Sequence, residues 1–291
     1  MSTEVSGIIN SNTTWSGNIL ITGSIKITNG ATLTINPGTQ ITIQSGNNYK
    51  VWVDSTGFLV ANSDNNDIKF SSSGSGSNDW QGIVFTENTN STSSNGSSLK
   101  GVTIHNATYG VNIEGQGILI DDCLFENNGK SIYLTDTDSV KITNSVFKDT
   151  NGCIDTPYEG GGTFNNVEIS NNNFLGGGTA SSIWPNQRNV DNLTIKNNLV
   201  ADSHSLGFRV GGGGYGSHIG DVEISGNEIK STSGISIDAY SWVHDNTPGL
   251  KINKNYISGT GTGIAFGHAD SFTANNIQVN QNYFKDNNNS I

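Results

Sequence analysis

Asn166-Val167-Glu168-Ile169-Ser170-Asn171-Asn172-Asn173-Phe174 is the stretch whose reading decides the fold. Val167 and Ile169 alternate with polar neighbours, the period of a strand buried on one face. Asparagines, which favour tight corners, and then a bulky apolar residue close the phrase. The phrase recurs around Ile120, Ile142, Ile195, Ile224, Ile252 and Val279.

Taking the second apolar position of each phrase as an anchor gives Ile104, Ile120, Ile142, Ile169, Ile195, Ile224, Ile252 and Val279, spaced by 16, 22, 27, 26, 29, 28 and 27 residues. Five positions after each anchor, from Ile120 onward, stand Phe125, Phe147, Phe174, Val200, Ile229, Ile257 and Phe284, all apolar. Three positions after it stand Cys123, Ser145, Asn172, Asn198, Asn227, Asn255 and Asn282. A second strand is expected in each turn, led by Ile132, Ile154, Ile183, Phe208, Ile235 and Ile264. A unit of about 20–30 residues cannot bury its apolar face alone, so units must stack and share one core. Strands of successive coils then pair in parallel about 4.8 Å apart. Like residues fall above one another, and stacked Asn amides can bond the backbone and each other as a ladder. A sandwich would show more even strand spacing and hairpin pairs.

The phrases Val140-Lys141-Ile142-Thr143-Asn144-Ser145-Val146-Phe147 and Ile195-Lys196-Asn197-Asn198-Leu199-Val200 resemble repeats of the right-handed parallel β-helix class, the pectate-lyase-like superfamily. The resemblance implies an all-β fold, a single solenoid with an Asn ladder. It covers 100–285 most clearly. It also implies an activity among lyases, hydrolases and epimerases, or a non-catalytic role as in tailspikes and surface proteins, and fold alone does not choose among these. Before residue 100, Ala31-Thr32-Leu33-Thr34-Ile35, the turn Asn36-Pro37-Gly38 and Thr39-Gln40-Ile41-Thr42-Ile43 read as short strands around a turn, and Trp80–Phe85 as another. The segments 71–79 and 87–99 read as surface excursions. The expected organisation is one continuous domain, with N-terminal coils and cap over 1–99 and regular coils over 100–291.

Composition narrows the partners. The formal net charge is -11. That disfavours nucleic acid, which needs a basic footprint, and adsorption to an anionic membrane. No run approaches the roughly 18 apolar residues of a membrane span. No leader is legible after Met1, and the expectation is a secreted or cell-surface protein whose leader has been removed. Cys123 and Cys153 fall at different register positions, so they read as buried structural thiols and not as a disulfide.

Chemistry-bearing residues gather in the loops after the second strand. Both arginines, Arg188 and Arg209, lie in or just before them. So do Tyr158, Trp184, Tyr215, Tyr240 and Trp242, the histidines His218, His244 and His268, and the acids Asp155, Glu159, Asp238, Asp245 and Asp270. Asp155, Trp184, Arg209, Ser236 and Ala265 each follow a leading apolar residue of the second strand, which predicts one outward column walled by residues such as Asn186, Gln187, Tyr240 and His244. Aromatics beside planar polar groups suit a sugar, whose apolar ring faces stack and whose hydroxyls need hydrogen-bond partners. The structural alternative for Arg209 is a bridge to Asp238 or Asp155, and for Trp184 a cover from a neighbouring loop. Gly211–Gly214 has no strand–loop–helix context and no following Lys, so it reads as a close-approach loop, not a phosphate cradle.

Two reactions fit such a polysaccharide groove over 155–270. In a uronan lyase, Arg209 or Arg188 neutralises a carboxylate, and Tyr240 or His244 acts as base or acid. In a hydrolase, Asp238 pairs with Asp245 or Asp270 at about 5–10 Å. Asp155, Tyr158, Glu159, Trp184, Asn186, Arg188, Tyr215, Trp242, His268 and Asp270 then contact substrate. No metal or cofactor is expected. Ca²⁺ would offset the acidic charge, but no EF-hand or Gly-Asp nonapeptide motif is present. The alternative is a non-catalytic surface or adhesin module, with a further domain or subunit expected against the C-terminal coil, where Phe284 ends the last phrase.

Overall fold

The computed structural model describes residues 1–86, 96–115, 117–148, 150–157, 163–183, 189–201, 206–212, 220–239, 249–267 and 277–291. Over these residues the chain is a right-handed parallel β-helix. No helix occurs among the described residues, so none is long and apolar enough to cross a membrane.

Each coil lays down three short strands, which stack into three parallel sheets, named here A, B and C in the order the chain meets them from Thr13 onward. Sheet A carries the opening phrase. Its inward column runs Trp15, Ile35, Ala61, Leu99, Ile120, Ile142, Ile169, Ile195, Ile224, Ile252 and Val279. Sheet B follows the Asn corner, with Phe70, Ile104, Phe125, Phe147, Phe174, Val200, Ile229, Ile257 and Phe284 inward. Pairings of Ala61 with Leu99, Phe70 with Ile104 and Phe85 with Ile113 join the first coils to the regular ones.

This register corrects two expectations. The sheet A anchor before Ile120 is Leu99, not Ile104, which instead stacks under Phe125 in sheet B. The odd spacing of 16 came from that shift. Ile104 lies five residues after Leu99, as Phe125 lies five after Ile120. In sheet C the inward column runs Ile132, Ile154, Ser181, Phe208, Ile235 and Ile264, so Ser181 holds the place expected for Ile183, which pairs with Val210 one step along. The excursion expected over 71–79 starts after the strand Ile68–Ser72, and that over 87–99 gives way to the strand Ser98–Lys100.

The corner between sheets A and B is fixed twice. Asn172, Asn198, Asn227 and Asn255 are buried. Each accepts the backbone N–H of the preceding coil's corner residue through Oδ1 and donates Nδ2 to the carbonyl of an anchor isoleucine, at 2.9–3.0 Å for Asn198 and Asn227. One residue before each ladder member, Asp122, Asn144, Asn171, Asn197, Gly226, Lys254 and Gln281 all have φ between 51° and 66°. That left-handed conformation suits Asn and Gly best. Inside, Phe125, Phe147 and Phe174 stack with ring centroids 5.1 and 4.9 Å apart. The segment 73–79 is tied to later corners: Asn106 donates to the Gly74 carbonyl, Asn127 to that of Ser75, and the Gly129 N–H to that of Ser77. Cys123 and Cys153 are buried and form no disulfide, and burial pushes the Cys123 thiol up to about 12.

Candidate functional site: the outer face of sheet C

Around the centre of each sheet C strand, inward and outward residues alternate, and like positions repeat from coil to coil. Its central outward column reads Lys26, Trp52, Val84, Asn112, Tyr133, Asp155, Ser182, Arg209, Ser236 and Ala265. A flanking column three residues earlier contains Tyr109, Lys130 and Leu206, and Lys50 stands two residues before Trp52. The column two residues later contains Glu114, Thr135, Gly211, Asp238 and Gly267. No other face of the solenoid brings Trp, Tyr, Lys, Arg and carboxylate together along one stripe among the described residues.

At the N-terminal end of the stripe, the ammonium groups of Lys26 and Lys50 lie 4.3 and 4.7 Å from the Trp52 ring centroid. The Trp52 indole donates to Thr86 Oγ1 at 3.0 Å, which fixes the ring plane. Asp54 lies 3.4 Å from Lys26. Burial pushes the Asp54 carboxyl up, but hydrogen bonds from Thr28, Thr56 and Lys26 outweigh it and hold the group below its ordinary value. Further along, Tyr109 and Tyr133 stack with centroids 4.8 Å apart, and the Lys130 ammonium sits 4.8 Å from the Tyr133 ring. Lys130 also pairs with Asp155, whose other oxygen accepts the Thr156 N–H at 2.9 Å. Asn112 donates to Glu114 Oε1 at 2.9 Å.

Towards the other end, Leu206, Arg209, Ser233, Ile235, Ser236, Thr262 and Ala265 line an open hollow of about 310 Å³. Arg209 stands two coils, about 10 Å, beyond Asp155 in the same column. Asp238 occupies the adjoining column one coil further, with Gly211 and Gly267 as its stacking neighbours. Among the described residues, no group of three or more His, Cys, Asp or Glu side chains is placed to hold a metal ion.

The family model for the right handed beta helix region matches residues 81–183 and 132–291. The chain belongs to the right-handed β-helix family. A search of solved structures finds a likeness to the mannuronan C-5 epimerase AlgE4 A-module of Azotobacter vinelandii, at 14% identity and a TM-score of 0.42, covering 99% of this chain and 86% of that one. No curated protein matches the chain at the sequence level.

In this β-helix only some of the expected site residues fall where their placement is described. Arg209 faces outward on sheet C as expected, and Asp155 shares its column. Trp184 was expected to stand between them, but Ser182 holds that position. The cause is the two-residue misreading of Ile183 for Ser181. Asp155 is tied to Lys130 and not to Arg209. Tyr158, Glu159, Trp184, Asn186, Arg188, Tyr215, Tyr240, Trp242, His244, Asp245, His268 and Asp270 lie outside the described residues, as do His218 and Gln187. Sequence reasoning missed Trp52, Tyr109, Lys130 and Tyr133 because it searched loops. Their signal was present: in Lys50-Val51-Trp52-Val53 and Ile132-Tyr133-Leu134, an aromatic sits between inward apolar residues and must therefore face out.

Proposed function

We propose that this protein binds a polysaccharide lengthwise along the outer face of sheet C and cleaves it beside Arg209. The observation that carries the reading is the outward column from Trp52 through Tyr133 to Arg209. A sugar polymer repeats, and so does a solenoid face. Aromatic rings can meet the apolar faces of pyranose rings, while Asn112, Glu114 and Arg209 offer planar hydrogen-bonding groups to hydroxyls and carboxylates.

In the lyase form of the reaction, Arg209 neutralises the uronate carboxylate and lowers the cost of the carbanion that forms at C5. Tyr240 or His244 removes the C5 proton, the electron pair forms the new double bond, and the glycosidic oxygen leaves with a proton from the acid. In the hydrolase form, Asp238 serves with Asp245 or Asp270 as acid and base, and water supplies the new hydroxyl. A second reading, a surface module that holds glycan without cutting it, is favoured by one contact. Asp155 is neutralised by Lys130, as a structural carboxylate is, and holding a polymer requires no acid or base.

The test is incubation with a panel of acidic and neutral glycans, reading unsaturated uronate absorbance and new reducing ends. Unsaturated products support the lyase and new reducing ends without them the hydrolase. Binding without either supports the surface module. No binding to any glycan overturns the reading.

A further inference from the structure

We propose that Lys26, Lys50 and Trp52 form a holding subsite for an acidic sugar, so that the polymer recognised by sheet C is polyanionic. The proposal rests on the reading of sheet C as a glycan face and names the class of glycan. It comes from a contrast of charge. The chain carries -11 overall, yet this end of the stripe places two ammonium groups over one indole. Asp54, the carboxylate beside Lys26, also accepts hydrogen bonds from Thr28 and from the Thr56 N–H and hydroxyl. Lys50 enters no ion pair among the described residues. Counting Lys26 and Lys50 against Asp54 leaves one net positive charge on a surface that is otherwise acidic.

The arrangement is built to hold position. Trp52 is fixed by its hydrogen bond to Thr86, and both ammonium groups sit over its ring, which limits the rotamer freedom that free lysines would lose on binding. From Trp52 the central column takes six coil steps to Arg209, about 29 Å. A polymer gripped by its carboxylates or sulfates at Lys26 and Lys50 would then run over Asn112 and Tyr133 to Arg209, the next cation of the central column. Cations at both ends and stacked tyrosines between them match an acidic chain of several sugars. A neutral glucan would leave the charged end without a partner.

The experiment separates charge from packing. Lys26→Met/Lys50→Met keeps two unbranched side chains beside Trp52 and removes both charges. Lys100→Met/Lys285→Met makes the same change in net charge on sheets A and B. Binding of polygalacturonate and of neutral dextran is followed by calorimetry, and by the tryptophan emission that Trp52→Phe removes. The expected result is polygalacturonate binding that weakens with salt, a roughly tenfold weaker half-saturation in Lys26→Met/Lys50→Met, and wild-type affinity in the control pair. The melting temperature should move little in either double variant. Equal loss in both pairs, no loss in Lys26→Met/Lys50→Met, or dextran bound as tightly as polygalacturonate would overturn the subsite while leaving the glycan face standing. A wild-type chain that binds neither polymer nor any other glycan would overturn the glycan face itself.

Discussion

Asn198 carries more of this fold than its size suggests. Its Oδ1 accepts the Asn172 N–H at 2.9 Å, its Nδ2 donates to the Ile169 carbonyl at 3.0 Å, and its own N–H is accepted by Asn227. All three groups are buried at a corner where no strand partner is available. Asn198→Ala therefore strands an N–H and a carbonyl, and should cost about 2–4 kcal/mol. Urea denaturation should show that loss, while Asn18→Ala at an exposed strand position should lie within about 0.5 kcal/mol of wild type. Lys254 presents the opposite case. It holds φ of 55° in a column otherwise occupied mostly by Asn, Asp and Gly. Lys254→Asn should raise stability by about 0.5–1 kcal/mol in the same assay, because Asn tolerates that conformation better. The ladder was legible from the three-residue offset after each anchor, since Asn recurs there without exception from Asn172 to Asn282. Ser181 was not, because a buried serine in an apolar column breaks the pattern that marks a column, and Ile183 two residues on fits the same period.

At the scale of a strand, the outer face of sheet B carries an ionic column whose response to pH can be worked out. His105 Nδ1 lies 3.3 Å from Glu126 Oε2, and Lys148 donates to Glu126 Oε1 at 2.8 Å. Burial, with Lys69 and Lys148 nearby, pushes His105 below its ordinary 6.5 despite the Glu126 charge. The unfolded chain therefore binds this proton first, so stability falls as pH drops from about 6.5 and levels off once the folded histidine is also protonated. The Lys148 hydrogen bond holds Glu126 below its ordinary 4.5 against the opposing effect of burial. Its contribution is complete above 4.5 and is lost as pH falls through the lower folded value. Melting temperature against pH should thus decline in two steps. His105→Gln should remove the upper step and Glu126→Gln should shrink the lower, to which Asp54 and Glu168 also contribute, and both steps unchanged in both variants would refute the assignment. This column was hidden from the sequence by the misplaced anchor. With Ile104 assigned to sheet A, His105 could not be aligned over Glu126. With Leu99 as the anchor, it falls there at once.

Across the whole molecule, the proposed reading puts stability and recognition on different walls of one tube. The Asn ladder and phenylalanine stack lie at the A–B corner and in the core, whereas Trp52, Tyr133 and Arg209 stand outside sheet C. Side chains on the outer surface of a sheet add little to the core, and coils contact only their neighbours, so a change on one wall need not reach the other. Arg209→Ala removes an outward side chain lining an open hollow. It should leave the melting temperature within about 2 °C of wild type, since it creates no core cavity. In the lyase reading it should lower turnover of an acidic glycan by about 100-fold or more, the scale of losing one group that stabilises charge in a transition state. Asn172→Ala should do the reverse. It accepts the Ser145 N–H and donates to the Ile142 carbonyl, both buried, so its loss should lower the melting temperature by several degrees and leave turnover per folded molecule near wild type. Measuring both quantities for both variants decides the matter. If Arg209→Ala melts early and Asn172→Ala loses turnover at a temperature where it is fully folded, the two walls are coupled and the division of labour fails.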